Sequence, residues 1–228
     1  MLQFDGVSVR QGAFTLTADL TLQSGQVTAV MGPSGAGKST LLALSAGFLA
    51  PHSGRIMMDG TDVTPQPADK RPMSVLFQDS NLFPHLTVEL NVALGLVPSA
   101  RLTPKVRGQV EEVLARVGLV DMGSRRPAEL SGGQQSRAAL ARVLLRRRPL
   151  VLLDEPFSAL GPGLRGEMLD FVAEVLSDTT VMMVTHAPAD AERIARDVIF
   201  VEDGFAHAPR ATKDILADPP AALQTYLG

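Results

Sequence analysis

The chain has 228 residues, 45% of them hydrophobic, and 21 Lys plus Arg against 24 Asp plus Glu give a formal charge of −3. This is enough apolar material for a full core, which excludes disorder, and the mildly acidic balance gives no drive toward a polyanion. With no Cys, disulfide frameworks, thiolate catalysis and Cys-ligated metal sites are excluded together.

The N-terminus, MLQFDGVSVRQ, lacks the basic-then-apolar layout of a secretory signal, and no apolar run approaches the roughly 18 residues of a membrane span. A cytosolic location is the default expectation. Aromatics make up only 4%, with no Trp and one Tyr, which leaves little material for stacking single-stranded bases. A nucleic-acid partner is not expected.

In chain order, the apolar residues 27–31 predict a strand, and Gly32-Pro33-Ser34-Gly35-Ala36-Gly37-Lys38-Ser39-Thr40 follows it with the phosphate-loop pattern G-x-x-x-x-G-K-[ST]. Residues 41–48 then read as a helix. Glycines let the loop turn its N–H groups toward phosphates, and the helix that follows adds the positive end of its dipole. Lys38 would reach the β- and γ-phosphates, and the Ser39 hydroxyl would ligate Mg²⁺. Chance alone gives such a match on the order of once in a hundred chains this size, so nucleotide binding is expected.

Residues 55–58 and 73–77 predict two more strands, the first closed by the turn dipeptide Asp59-Gly60, the second ended by Gln78. Between about 79 and 130 the strand-like runs stop. Thr103 is a candidate N-cap with Pro104 at the first helical position, followed by Val106, Val110, Val113, Leu114 and Val117 at helical spacing and Gly118 as a stop. Leu130-Ser131-Gly132-Gly133-Gln134 then opens a helical stretch over 136–145, with Ser131 as N-cap and bare N–H groups at the glycines, a second anion-directed helix end.

Residues 150–153 form an apolar run ended by Asp154 and Glu155, residues 181–184 lead through Thr185 to His186, and 198–201 run into the turn dipeptide Asp203-Gly204. Continuous apolar runs suit strands buried on both faces of a largely parallel sheet, whose ligand crevice lies at the carboxyl ends. Asp154 there fits a Mg²⁺ partner and Glu155 a general base for an attacking water. Gln78, sensing metal or water, and His186, bonding the γ-phosphate, would reach the same crevice; taken singly, each is more often a loop or structural residue. Residues from Pro219 onward read as a short terminal helix. The expected fold class is α/β: a mostly parallel core, an antiparallel β edge and an inserted helical subdomain.

GPSGAGKST, Gln78, LSGGQ, LLDEP and His186, in this order, resemble the nucleotide-binding subunits of ATP-binding cassette (ABC) transporters over nearly the whole chain. The resemblance implies a P-loop NTPase of the ABC ATPase type in a single domain, with residues 1–78 and 136–228 as the core and 79–135 as the helical subdomain. It implies MgATP held by Gly32 to Thr40, with Ser39, Gln78 and Asp154 at the metal, and Glu155, Gln78 and His186 in hydrolysis. It implies a head-to-tail homodimer in which Ser131, Gly132, Gly133 and Gln134 of one protomer meet the ATP of the other. Residues 79–97 would receive transmembrane permease subunits at the cytoplasmic face of the inner membrane, with a periplasmic binding protein as indirect partner.

KRPMSVLFQDSNLFPHLTVELNVALGL is most similar to importer cassettes, closest to the ATPase subunits of bacterial thiamine importers. Similar polyamine, iron and sulfate cassettes commonly carry a further C-terminal domain, for which 228 residues leave no room. A clamp ATPase acting on DNA or ribosomes, or a small-molecule kinase, are the competing readings; the clamp's usual long coiled coil, zinc-ligating Cys pairs or tandem cassettes are absent, and a kinase, though the size fits, leaves LSGGQ unexplained.

Three positions depart from the family. Gln11 stands where an adenine-stacking aromatic is usual, and Phe14 either takes over or is a core residue. Gly161 stands in place of an Asp, which puts the hydrolysis rate in doubt. Ser136-Arg137-Ala138 is a mild variation expected to tune helix packing. Arg146-Arg147-Arg148 reads as a solvated helix end, Arg125-Arg126 as facing partner or water, and His52, His85 and His207 as non-metal residues.

Overall fold

The computed structural model describes residues 1–78, 81–99, 102–221 and 223–224. The chain opens with a hairpin, β1 (Leu2–Gln11) and β2 (Phe14–Leu22), then runs through β3 (Val27–Met31), α1 (Lys38–Ala46), β4 (Ser53–Met58), β5 (Thr61–Asp62) and β6 (Met73–Leu76). Helices α2 (Val88–Ala93), α3 (Pro104–Arg116) and α4 (Gly132–Leu145) follow, with a 3-10 turn at Pro127–Glu129. The last third alternates β7 (Leu150–Asp154), α5 (Pro162–Val175), β8 (Thr180–Val184), α6 (Pro188–Ile194) and β9 (Asp197–Glu202). It ends in β10 (Phe205–Ala206), β11 (Arg210–Ala211) and α7 (Thr212–Ala217).

The strands join in the order β5-β4-β1-β2-β10-β9-β3-β8-β7-β6, with β11 beside β9. From β9 to β6 the pairs are all parallel. Alternate residues there face opposite ways: Val30, Leu152, Met182 and Ile199 pack toward α1, whereas Val151, Leu153 and Met183 pack toward α4 and α5. That two-sided burial explains the continuous apolar runs by which these strands were legible.

The hairpin β1–β2 was not among the expected strands. Its residues alternate, with Leu2, Phe4, Val7 and Val9 buried between more exposed neighbours, because one face packs on α1 and the other is wetter. Both turn dipeptides do close hairpins: Asp59-Gly60 and Asp203-Gly204 all have positive φ, as a type I′ turn requires.

In the helical segment, Thr103 Oγ1 accepts from Val106 N at 3.3 Å, Val106, Val110, Val113 and Leu114 are buried, and Gly118 ends the element at φ 69°. Helix α4 begins four residues before the expected 136, directly after Ser131, and so runs through the expected subdomain boundary at 135/136. Asp79 and Ser80 lie outside the described residues, as does much of the terminal helix expected from Pro219. Among the described residues, no helix is long and apolar enough to cross a membrane.

Candidate active site at the phosphate loop

Because β3, β8, β7 and β6 are parallel neighbours, the residues that leave their carboxyl ends share one edge of the sheet. In that order they are the phosphate loop, His186, the pair Asp154 and Glu155, and Gln78.

Two glycines make the loop possible. A Cβ on Gly32 (φ 148°) would lie 2.0 Å from the Val201 carbonyl oxygen, and one on Gly37 (φ 115°) would lie 2.9 Å from both Leu16 Cδ1 and Phe14 Cζ. Gly37 is also the N-cap of α1. No side chain caps that helix and no acid stands in its first turn, so the N–H groups of Lys38, Ser39 and Thr40 leave the helix end unanswered. An anion fits there by hydrogen bonding and by dipole.

The buried Lys38 ammonium donates to the carbonyls of Gly32 (2.7 Å) and Pro33 (2.8 Å), which leaves its third N–H for a ligand. Burial pushes its pKa below the usual lysine range, and the nearby carboxylates of Glu155 and Asp154 work the other way. The cleft at the loop, of about 440 Å³, is lined by Ser34, Gly35, Ser39 and Thr40 of the loop and helix start together with Glu155, His186, Gln11 and Phe14.

Asp154 ends β7, where burial and then the neighbouring Glu155 carboxylate raise its pKa, against the opposing pull of Lys38 and His186. Glu155 itself has left the strand with φ 46°, and its N–H donates to the Val184 carbonyl at 3.1 Å. That left-handed turn directs its carboxylate to His186, with Oε1 and Nε2 2.5 Å apart. Gln78 Nε2 donates to Ser158 Oγ (3.3 Å), and Ser158 Oγ donates to the Glu155 backbone carbonyl (3.1 Å), so one hydroxyl ties Gln78 to the backbone of Glu155. Ser158 was not singled out from sequence as a bridge; the contact spans 80 positions and leaves no local signal.

The LSGGQ segment lies elsewhere. Ser131 Oγ accepts from Gln134 N, and Gln134 Oε1 accepts from Ser131 N at 2.9 Å, a reciprocal capping box at the start of α4. Gly133 is buried, where a Cβ would press on Leu164 at 2.9 Å. Ser131 and Gly132 are exposed, and none of Ser131, Gly132, Gly133 and Gln134 lines the cleft of its own chain.

Of the remaining residues, Ser136 Oγ donates to the Gly132 carbonyl one turn back in its own helix, and the Arg137 guanidinium lies 5.4 Å from the Phe171 ring of α5. Arg146 and Arg147 are exposed, as expected of a helix end. Arg148 differs: it is half-buried, and its Nε has no hydrogen-bond partner among the described residues. His52 Nδ1 accepts from Arg10 N, His207 pairs with Glu202, and His85 meets the Phe83 ring. The buried Asn91 amide bonds the carbonyls of Phe83, Leu86 and Thr87 and so shapes the loop before α2. A polar residue amid the apolar spacing of α2 was the signal for it.

A parallel sheet that brings a phosphate loop up to a carboxylate–imidazole pair defines a phosphate-loop nucleotide hydrolase. Residues 16–158 match the ABC transporter family, and the chain belongs to it; it is an ATPase. Over 230 aligned residues it is 55% identical to the thiamine import ATP-binding protein ThiQ of Cereibacter sphaeroides and 52% identical to that of Ruegeria sp., covering 100% of each chain. Among solved structures it is similar to the ATP-binding cassette MJ0796 in a dimeric post-hydrolysis state bound to ADP and Pi. There the TM-score is 0.78 at 27% identity, over 93% of this chain and 99% of that one.

Proposed function

We propose that this chain is the ATP-hydrolysing subunit of a bacterial thiamine importer, working as a head-to-tail homodimer beneath membrane-spanning permease subunits. Its relatives of matching length carry that name, and LSGGQ turned away from its own cleft supports the dimer: each site then lacks the half that a second protomer supplies.

In the proposed reaction the N–H groups of the loop and the first turn of α1 bind the β- and γ-phosphates, and Lys38 adds its charge. Glu155 orients a water in line with the γ-phosphorus and takes its proton as the O–P bond forms and ADP leaves with the bridging oxygen. His186 holds the Glu155 carboxylate and bonds the γ-phosphate. Ser39, Gln78 and Asp154 offer a hydroxyl, an amide and a carboxylate, hard oxygen donors that suit Mg²⁺, and a cation beside Asp154 would offset the burial that raises its pKa. When bound, Mg²⁺ neutralises charge on the phosphate oxygens. Residues 79–97 are the segment that would meet the permease at the inner membrane's cytoplasmic face, and Phe48, its ring 5.8 Å from that of Phe77, and Phe83 expose large apolar rings.

The contact between Glu155 and His186 at the loop's cleft carries the catalytic reading. Glu155→Gln is expected to cut hydrolysis by about 10²-fold or more while ATP stabilises a dimer on size-exclusion chromatography; turnover at the wild-type rate overturns the assignment. Stimulation of the reconstituted complex by thiamine-loaded binding protein tests the substrate.

A further inference from the structure

The loop that carries His186 is held by a polar group that the chemistry above does not use. Thr185 and Asp190 are 2% and 7% exposed, and Arg165 reaches them from α5. Arg165 Nε donates to both Asp190 oxygens (2.9 and 3.1 Å), and its terminal nitrogen donates to the same carboxylate and to Thr185 Oγ1 at 3.4 Å. Thr185 Oγ1 in turn donates to Asp190 Oδ2 at 2.6 Å and accepts from Ala187 N at 3.1 Å. Thr185 N donates to the Val30 carbonyl, one residue from the end of β3.

We propose that Asp190 and Arg165 are positioning residues for His186, acting through the Thr185 hydroxyl; this rests on the role given to His186 above. The residues on either side of His186 are bound to one oxygen, and the direction of that hydroxyl is set by the Asp190 carboxylate. With its backbone pinned on both sides, the imidazole retains only its own two side-chain torsions for meeting Glu155. The Arg165 fork makes the arrangement stiff, since two charge-assisted bonds fix the plane of the carboxylate. It also joins the His186 turn to α5, whose N-cap Gly161 follows the loop in which Ser158 bridges Gln78 and Glu155. Removing the carboxylate leaves the hydroxyl free to rotate and Arg165 without its partner.

A plain link between α5 and α6 would lower stability and nothing more. The discriminating experiment measures kcat, the KM for ATP and the melting temperature for Asp190→Asn, Thr185→Val, Thr185→Ser, His186→Ala and the double variant His186→Ala/Asp190→Asn. Asp190→Asn and Thr185→Val are expected to lower kcat about 10- to 100-fold, the scale of a small misplacement of a reacting group, with KM within about twofold. Thr185→Ser keeps the hydroxyl and keeps the rate. In the His186→Ala background, Asp190→Asn is expected to cost nothing further, because there is no imidazole left to place. An equal loss with and without His186, or a fully active Thr185→Val, overturns the positioning role. Wild-type turnover in His186→Ala instead overturns the role of the histidine itself. If Asp190→Asn does not fold, the valine and serine variants at Thr185 decide the matter between them.

Discussion

Phe14 opens β2 half-buried, with its ring against Gly37 and one side on the cleft. Among the described residues that line the cleft it is the one phenyl ring, which makes it the candidate to meet the base of a nucleotide whose phosphates sit on the loop. Two contributions are separable. Removing a buried Phe side chain costs about 3–5 kcal/mol, and for a ring buried by roughly half, Phe14→Ala should cost about 2 kcal/mol of stability. Stacking on a base is worth roughly 1–3 kcal/mol, which is about 5- to 150-fold in affinity. Phe14→Leu isolates the second, because it retains most of the apolar volume and should cost less than about 1.5 kcal/mol. The assay is titration with ADP, which carries the base without inviting turnover, alongside the melting temperature without nucleotide. We expect Phe14→Leu to bind ADP about tenfold or more weakly while melting near the wild type. Unchanged ADP affinity in Phe14→Leu, with a stability loss in Phe14→Ala, refutes stacking and makes Phe14 a core residue.

Gly161 is exposed and caps α5 without a side-chain bond, and a Cβ there would meet nothing within 4 Å. Gly161→Asp should therefore be accommodated with a stability gain of a few tenths of a kcal/mol, about what Asp gains over Gly at an N-cap. It should also raise ATP turnover above that of the natural protein; equal or lower turnover counts against a deficit at this position. Asp154 has its pKa raised by burial, so the native state binds its proton more tightly than the unfolded chain does. The resulting stabilisation is present below the ordinary carboxylate pKa and is lost as pH rises through the raised value. Asp154→Asn should accordingly melt higher than the wild type at neutral pH without nucleotide, with the advantage vanishing toward pH values below the ordinary range. A melting-temperature difference that is flat with pH refutes it.

The parallel core and the phosphate loop could be read from the chain because both are local. A strand buried on both faces is an unbroken apolar run, as in β3, β7 and β8, and the loop's glycines, Lys38 and Ser39 fall within nine consecutive residues. The hairpin β1–β2 alternates instead, and its signal is weaker because half of its residues are partly wet. Ser131 was recognised as a cap, but the helix begins at Gly132, since capping is local and the glycines after it hide the helical pattern. The contact of Glu155 with His186, the Ser158 bridge and the grip of Arg165 on Asp190 depend on which strands and helices become neighbours. Strand order brings β8 beside β7, and no spacing along the chain encodes the resulting meeting of side chains.

The two anion-directed helices end differently. Helix α4 answers the N–H groups of Ser131 and Gln134 with those residues' own side chains, whereas α1 leaves its first turn without a side-chain answer. A surface that meets its counterpart only during part of a working cycle must tolerate water for the rest of it, and a self-capped helix does so without fraying. A nucleotide seated on the phosphate loop would finish the first turn of α1 and so act there as a missing piece of secondary structure. In the proposed dimer the LSGGQ face would therefore keep its own cap when the protomers part, whereas the first turn of α1 would depend on the nucleotide for its partners.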